Sequence, residues 1–182
     1  MLLESKICDF GWPAPDFELA TPDGTIHTRD SIMGPGGMLV AFICNHCPYV
    51  IAVIDRLAQD MKTLEAEGIG CVAIMSNDYR AVPADAPDRM TAFAAVHGLD
   101  APYLVDETQA VGRAYGAVCT PDFFGFDAKG GLQYRGRLDD IGMRGDPDAR
   151  VPELLQAMQQ VASTGQGPQV QTPSMGCSIK WR

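Results

Sequence analysis

Two cysteines three residues apart, Cys44 and Cys47, lie in the stretch FICNHCPYV, with His46 between them and Pro48 directly after. A pair at this spacing can act as metal ligands, as a structural staple or as a working dithiol. The surrounding residues favour the dithiol. The apolar run MLVAFIC ends on Cys44, and a three-and-four periodicity begins just beyond it, so the pair sits where a buried strand gives way to a helix. With Asn45 as N-cap, Pro48 falls in the first turn, where its missing N–H costs no hydrogen bond. The positive end of the helix then faces both sulfurs and favours the thiolate, the reactive form. Side chains three apart on a helix lie about 5–6 Å apart at Cβ, near enough to close a disulfide with modest adjustment. A protonated His46 adds a second favourable charge.

The metal reading has less behind it. A structural zinc site takes four ligands, usually as two close pairs, whereas Cys8, Cys71, Cys119 and Cys177 are isolated singles. Haem attachment needs His directly after the second Cys, and Pro48 stands there. The expectation is therefore a dithiol site with no metal and no cofactor.

The elements that must position the pair can be read on either side of it. The chain has 182 residues, 46% apolar and 20% charged, enough for one domain with a sizeable core. The formal net charge of −9 argues against nucleic acid, whose binding needs clustered Lys and Arg. No apolar run reaches the roughly 18 residues of a membrane span, and no leader peptide is visible at the start, so the expected location is cytoplasmic. Six dispersed cysteines in such a compartment point to catalysis or metal binding rather than to a disulfide scaffold.

FELATPDGTIHTR reads as a hairpin turning at residues 22–24, and GCVAIMS as a second buried strand. Val50, Ile54, Leu57, Met61 and Leu64 mark the helix after the cysteines, with Gly68 beyond its end. A helix enters through Pro87 and closes near Gly98, PYLVD is a short strand, and Asp106 with Gln109 has capping-box spacing before a helix ending at Gly116. A hairpin turns at residues 129–131, and a last helix opens at Pro152. The fold class is α/β, a mixed sheet flanked by helices. Residues 1–164 form the domain and residues 165–182 a tail without periodicity. Its apolar end, Ile179 and Trp181, is expected to dock on the domain, and the N-terminal arm around Cys8 is expected to be mobile.

APDFEL, the strand leading into CNHCP, DETQAVGRAYGAVCTPDFFGFD, YRGRLDD and GCSIKW together resemble the peroxiredoxin-like (AhpC/TSA, redoxin-type) thioredoxin family proteins. The resemblance runs from about Ala14 to Trp181. It implies a thioredoxin-like fold with an N-terminal β-hairpin extension, Cys44 as exposed nucleophile and Cys47 as the buried resolving thiol. It also implies a cis Pro121, with Thr120 beside it binding substrate. The function it implies is a thiol-disulfide oxidoreductase. Its partners are protein or small-molecule thiols and disulfides, with no nucleic acid and no membrane.

The departures from the family pattern matter. Thioredoxins proper carry a buried Asp where Met38 stands, so the proton acceptor is left to His46 or water. The Pro and Thr that orient peroxide in peroxiredoxins are Val40 and Cys44 counted from Cys47, or Gly37 and Ala41 counted from Cys44. Thiol peroxidase activity, with Arg137 (or Arg135) orienting the peroxide, is the enzymatic alternative. A thioredoxin-fold module that senses redox state or binds a partner without catalysis is the non-enzymatic one. Cys119, two residues before Pro121, and Cys177 in the tail are candidate additional redox thiols, and Cys71 is a core residue.

Overall fold

The computed structural model describes all 182 residues. Its centre is β4 (Met38–Phe42), in which every residue is fully buried. Such a strand needs apolar side chains on both faces, which is why its sequence reads as an unbroken apolar run. Leu39, Ala41 and Ile43 face one core, with Leu57, Met61 and Leu64. Met38, Val40 and Phe42 face the other, with Tyr115, Phe124 and Phe126.

Around β4 the chain adds β2 (Glu18–Ala20), β3 (Ile26–Thr28), β5 (Gly70–Met75), β6 (Tyr103–Val105), β8 (Asp122–Phe126) and β9 (Leu132–Tyr134). The seven strands lie in the order β3-β2-β6-β5-β4-β8-β9. β4, β5 and β6 are parallel neighbours, while β8 runs antiparallel to β4. The β2–β3 hairpin extends the β6 edge. This is a mixed sheet flanked by helices, as expected.

Helix α1 (Arg29–Ile32) follows β3, and the helix after the cysteines is divided into α2 (Pro48–Ile51) and α3 (Ile54–Ala66). β-branched residues crowd this start, and Val53 provides the break. α4 (Pro87–His97) ends on Gly98 with φ of 64°, the left-handed cap that glycine adopts without strain. α5 (Ala110–Tyr115) and α6 (Glu153–Thr164) complete the layers. Asp106 is not the N-cap of α5; Gln109 is. The Asp106 carboxylate nonetheless accepts the N–H groups of Val111 and Gly112, at 3.4 and 2.8 Å. Asp60, on the buried face of α3, is matched by Arg150, which also reaches Asp139; Arg56 binds Asp139 as well.

A second sheet joins the two chain ends. β1 (Leu2–Glu4) pairs with β10 (Met175–Ser178), and β10 pairs with β7 (Cys119–Thr120), all antiparallel. The N-terminal arm is thus a paired strand, contrary to the expectation of mobility. Residues beyond β10 are held by long-range side chains. Asn77 Oδ1 accepts Lys180 N at 2.8 Å, and Gln109 Oε1 accepts Arg182 N at 2.9 Å. The Arg113 guanidinium stacks 4.5 Å from the Trp181 ring, and Ile179 is buried. β10 lies so close to β7 that a Cβ on Gly176 would collide with the Thr120 carbonyl oxygen. Gly176→Ala is therefore expected to force the two strands apart at a cost of about 1–3 kcal/mol. A fall of several degrees in the melting midpoint checks this; an unchanged midpoint contradicts the packing.

Candidate active site

Cys44 ends the stretch after β4 and Cys47 is the N-cap of α2. Asn45 does not cap the helix, because its N–H and that of His46 turn elsewhere, to Asp85 Oδ1 at 2.8 and 3.2 Å. Asp85 closes the 3₁₀ turn Pro83–Asp85 and is fully buried. Its other oxygen accepts Asn77 Nδ2 at 2.8 Å and meets His46 Nδ1 at 2.7 Å. A buried carboxylate with no Arg or Lys partner is costly unless hydrogen bonds replace its water. Four donors do so here, and they fix the loop between the cysteines. The Tyr103 hydroxyl donates to Asn45 Oδ1 at 3.0 Å from below.

The opposite wall is Thr120, joined to Pro121 by a cis peptide bond. Its hydroxyl lies 3.3 Å from Cys44 Sγ, and its carbonyl oxygen accepts the Cys47 thiol at 3.1 Å. Both cysteines are fully buried, so the expected exposure of Cys44 is corrected: β7 and β10 lie across the pair. All six cysteines are free thiols.

The two sulfurs differ electrostatically. The neighbouring Cys44 thiol is the main influence that pulls Cys47 below the ordinary thiol range. Burial opposes it, and the Cys177 thiol and the N–H groups of Val50 and Cys177 add to it. Cys44 is held protonated, well above the ordinary thiol range, by the neighbouring Cys47, by burial and by the Asp85 charge. The neighbouring Cys44 thiol, with the helix-start N–H of Val50 adding to it, thus favours a thiolate at Cys47 rather than at Cys44. The Thr120 carbonyl gives Cys47 a partner when it is protonated, and the converging donors do so when it is not.

Cys44, His46 and Asp85 bring ligand-type atoms within 4.8 Å of one another. That is one donor short of a closed zinc site, and both Asp85 oxygens already accept hydrogen bonds. The set holds the loop between the cysteines in place.

The other sequence-level candidates divide. Cys177 lies directly opposite Thr120 in the β10–β7 ladder and joins the site, partly exposed. Cys119 is fully buried with its thiol 3.5 Å from the Pro121 carbonyl, and burial pushes it above the ordinary range. Arg137 is bound through two nitrogens to Glu153, at 2.7 and 2.9 Å. Arg135 is buried against Asp122 and over the Phe124 ring. Cys71 packs in β5. Asp85, Asn77 and Tyr103 had no signal in the sequence, since their meeting with the loop is made by the fold alone.

Beside Pro121 opens a cleft of about 280 Å³ whose apolar wall includes Tyr49, Val53, Phe123, Ile141 and Met143. Arg137 and Glu4 stand at its polar side.

Residues 10–135 match the AhpC/TSA family model. No curated protein matches the chain. An uncharacterized conserved protein from Geobacillus kaustophilus is 37% identical with a TM-score of 0.90, over 100% of this chain and 97% of its own. A hypothetical protein from Sinorhizobium meliloti 1021 is 36% identical with a TM-score of 0.92, over 98% of each. The fold is shared with a thiol:disulfide interchange protein of Chlorobium tepidum TLS, at 23% identity and a TM-score of 0.58, over 74% of this chain and 88% of that one. With a buried dithiol on a mixed sheet and a family match over most of its length, the chain belongs to the AhpC/TSA family of thioredoxin-like redox proteins.

Proposed function

We propose that the protein is a thiol-disulfide oxidoreductase whose working couple is Cys44 and Cys47. One observation carries the reading: both sulfurs bear on the one residue Thr120, at 3.3 and 3.1 Å, and their protonation preferences are opposite. A dithiol with one sulfur ionised and the other protonated is set for exchange. The thiolate attacks a disulfide sulfur, expels a substrate thiolate and becomes half of a mixed disulfide. The protonated partner then attacks Cys47, closes the Cys44–Cys47 disulfide and expels the second substrate thiolate. For that step Cys44 must lose a proton, and His46, held by Asp85, stands next to it. Run backwards, the same steps oxidise a dithiol.

In this reading Cys47, not Cys44, carries the reactive charge in the reduced protein, which reverses the roles implied by the family resemblance. The cleft beside Pro121 receives the substrate chain, with backbone groups of Thr120 near its end. The setting is a reducing compartment, the cytoplasm, where thiol partners regenerate the couple. Peroxide reduction is the weaker activity, because the arginine expected to orient peroxide is bound to Glu153. A purely non-catalytic module would not need the two thiols split in this way.

Turnover decides between these activities. Wild type is expected to reduce a model disulfide with thiol recycling, while Cys44→Ser and Cys47→Ser each lose activity by orders of magnitude. Hydrogen peroxide turnover should lag behind disulfide turnover; the reverse order would favour a peroxidase. Equal disulfide turnover in wild type and both variants would reject the couple.

The protonation split has its own test. A thiol held well below the ordinary range stays ionised from neutral pH down into mild acid, whereas an ordinary cysteine, near 8.5, loses its charge below pH 8. Thiolate ultraviolet absorbance should therefore persist at pH 6 in wild type and vanish in Cys47→Ser. Cys44→Ala removes the main influence and should move the midpoint upward. A wild-type midpoint near 8.5 would contradict the arrangement.

A further inference from the structure

Both sulfurs of the couple are fully buried, while a third thiol close to them is not: Cys177 is partly exposed. The ladder places it. Cys177 faces Thr120 across β10 and β7, and Thr120 is the residue whose carbonyl oxygen contacts Cys47 Sγ at 3.1 Å. Cys177 also packs against the buried cluster that contains Cys44 and Cys47, and it is one of the groups that lower the Cys47 thiol. Gly176, whose missing side chain lets β10 lie against Thr120, makes this approach possible. Cys119, the next residue along β7, does not share the position, since it faces Pro121 O.

We propose that Cys177 is a third redox thiol, exchanging with Cys47 and carrying disulfide equivalents between the buried couple and thiol substrates at the surface. The proposal rests on the oxidoreductase reading and names the route by which its substrate reaches the site. In the oxidised protein, Cys177 Sγ gives its proton to solvent and attacks Cys47 Sγ. The Cys47–Cys177 bond forms, the Cys44–Cys47 bond breaks, and the electron pair leaves on Cys44 Sγ, which takes up a proton. A substrate thiolate then attacks Cys177 Sγ and expels Cys47 as its thiolate. A second substrate thiolate attacks the substrate sulfur, releases Cys177 and leaves a substrate disulfide. Two substrate thiols are oxidised, the Cys44–Cys47 disulfide is reduced, and no other oxidant is consumed.

The geometry suits the chemistry at each sulfur. Burial, followed by the neighbouring Cys47, raises the Cys177 thiol to about 11, so in the reduced protein it stays protonated and does not compete for the charge. Once Cys47 is in a disulfide, that influence is gone. Cys47, the sulfur most readily ionised, is the group expelled when substrate attacks Cys177, and a low-pKa thiol leaves fastest.

Disulfide mapping tests the proposal on the full chain. Trypsin leaves Cys44 and Cys47 together on residues 30–56 and Cys177 on residues 151–180, so a Cys47–Cys177 bond links two peptides and a Cys44–Cys47 bond does not. Oxidation of Cys44→Ser with glutathione disulfide is expected to give the linked pair. Wild type should show it as a minor species alongside the Cys44–Cys47 form, a reading that does not depend on a variant folding. Cys177→Ser should still form the Cys44–Cys47 disulfide but lose about tenfold in turnover of a protein disulfide. Absence of the linked pair in both proteins, or wild-type turnover in Cys177→Ser, overturns the relay. In either case disulfide turnover by wild type would leave the oxidoreductase reading intact. No turnover by wild type, with the linked pair present, would reject that reading instead.

Discussion

Thr120 is the point on which the site depends. Its hydroxyl meets Cys44, its carbonyl meets Cys47, and its backbone lies opposite Cys177. A residue with three such duties must be held from several directions. The Ser174 hydroxyl donates to the Pro121 carbonyl at 2.8 Å, fixing the peptide that follows. Asp122, next along the chain, is locked by the Ser5 hydroxyl, the Val118 N–H and Arg135. Pairing with β10 fixes the third side. These partners come from both ends of the sequence, so the two chain termini are part of the site.

Two buried carboxylates solve the same problem differently, and the difference bears on function. Asp122 takes a cation, Arg135, and is structural. Asp85 takes no Arg or Lys and is satisfied by four hydrogen bonds, three of them from the CxxC loop itself. Its charge therefore remains felt by Cys44, which it helps to keep protonated. The loop that holds the cysteines is shaped by the group that sets one of their protonation states.

What the sequence made legible follows from what is local. β4 and β5 were readable as continuous apolar runs, and α3, α4 and α6 from their spacing and end signals, because each depends on residues a few positions apart. The cysteine pair and its place at a strand-to-helix junction were readable for the same reason. The start of that helix was not. Asn45 has a capping side chain, yet Asp85, 40 residues away, captures the loop and leaves the cap to Cys47. β1, β7 and β10 have only 3, 2 and 4 residues, too few to show a period, and they exist through their pairing. The burial of Cys44 follows from that pairing and was equally hidden.

The central claim is that Cys44 and Cys47 form one reversible two-electron couple. Equilibrium titration in dithiothreitol buffers of graded potential, with mass spectrometry of residues 30–56, measures it directly. The account predicts a single transition in which this peptide loses two hydrogens, with a tenfold change in the equilibrium for each ~30 mV. A peptide that stays reduced across the range, while other cysteines of the chain oxidise, would contradict it.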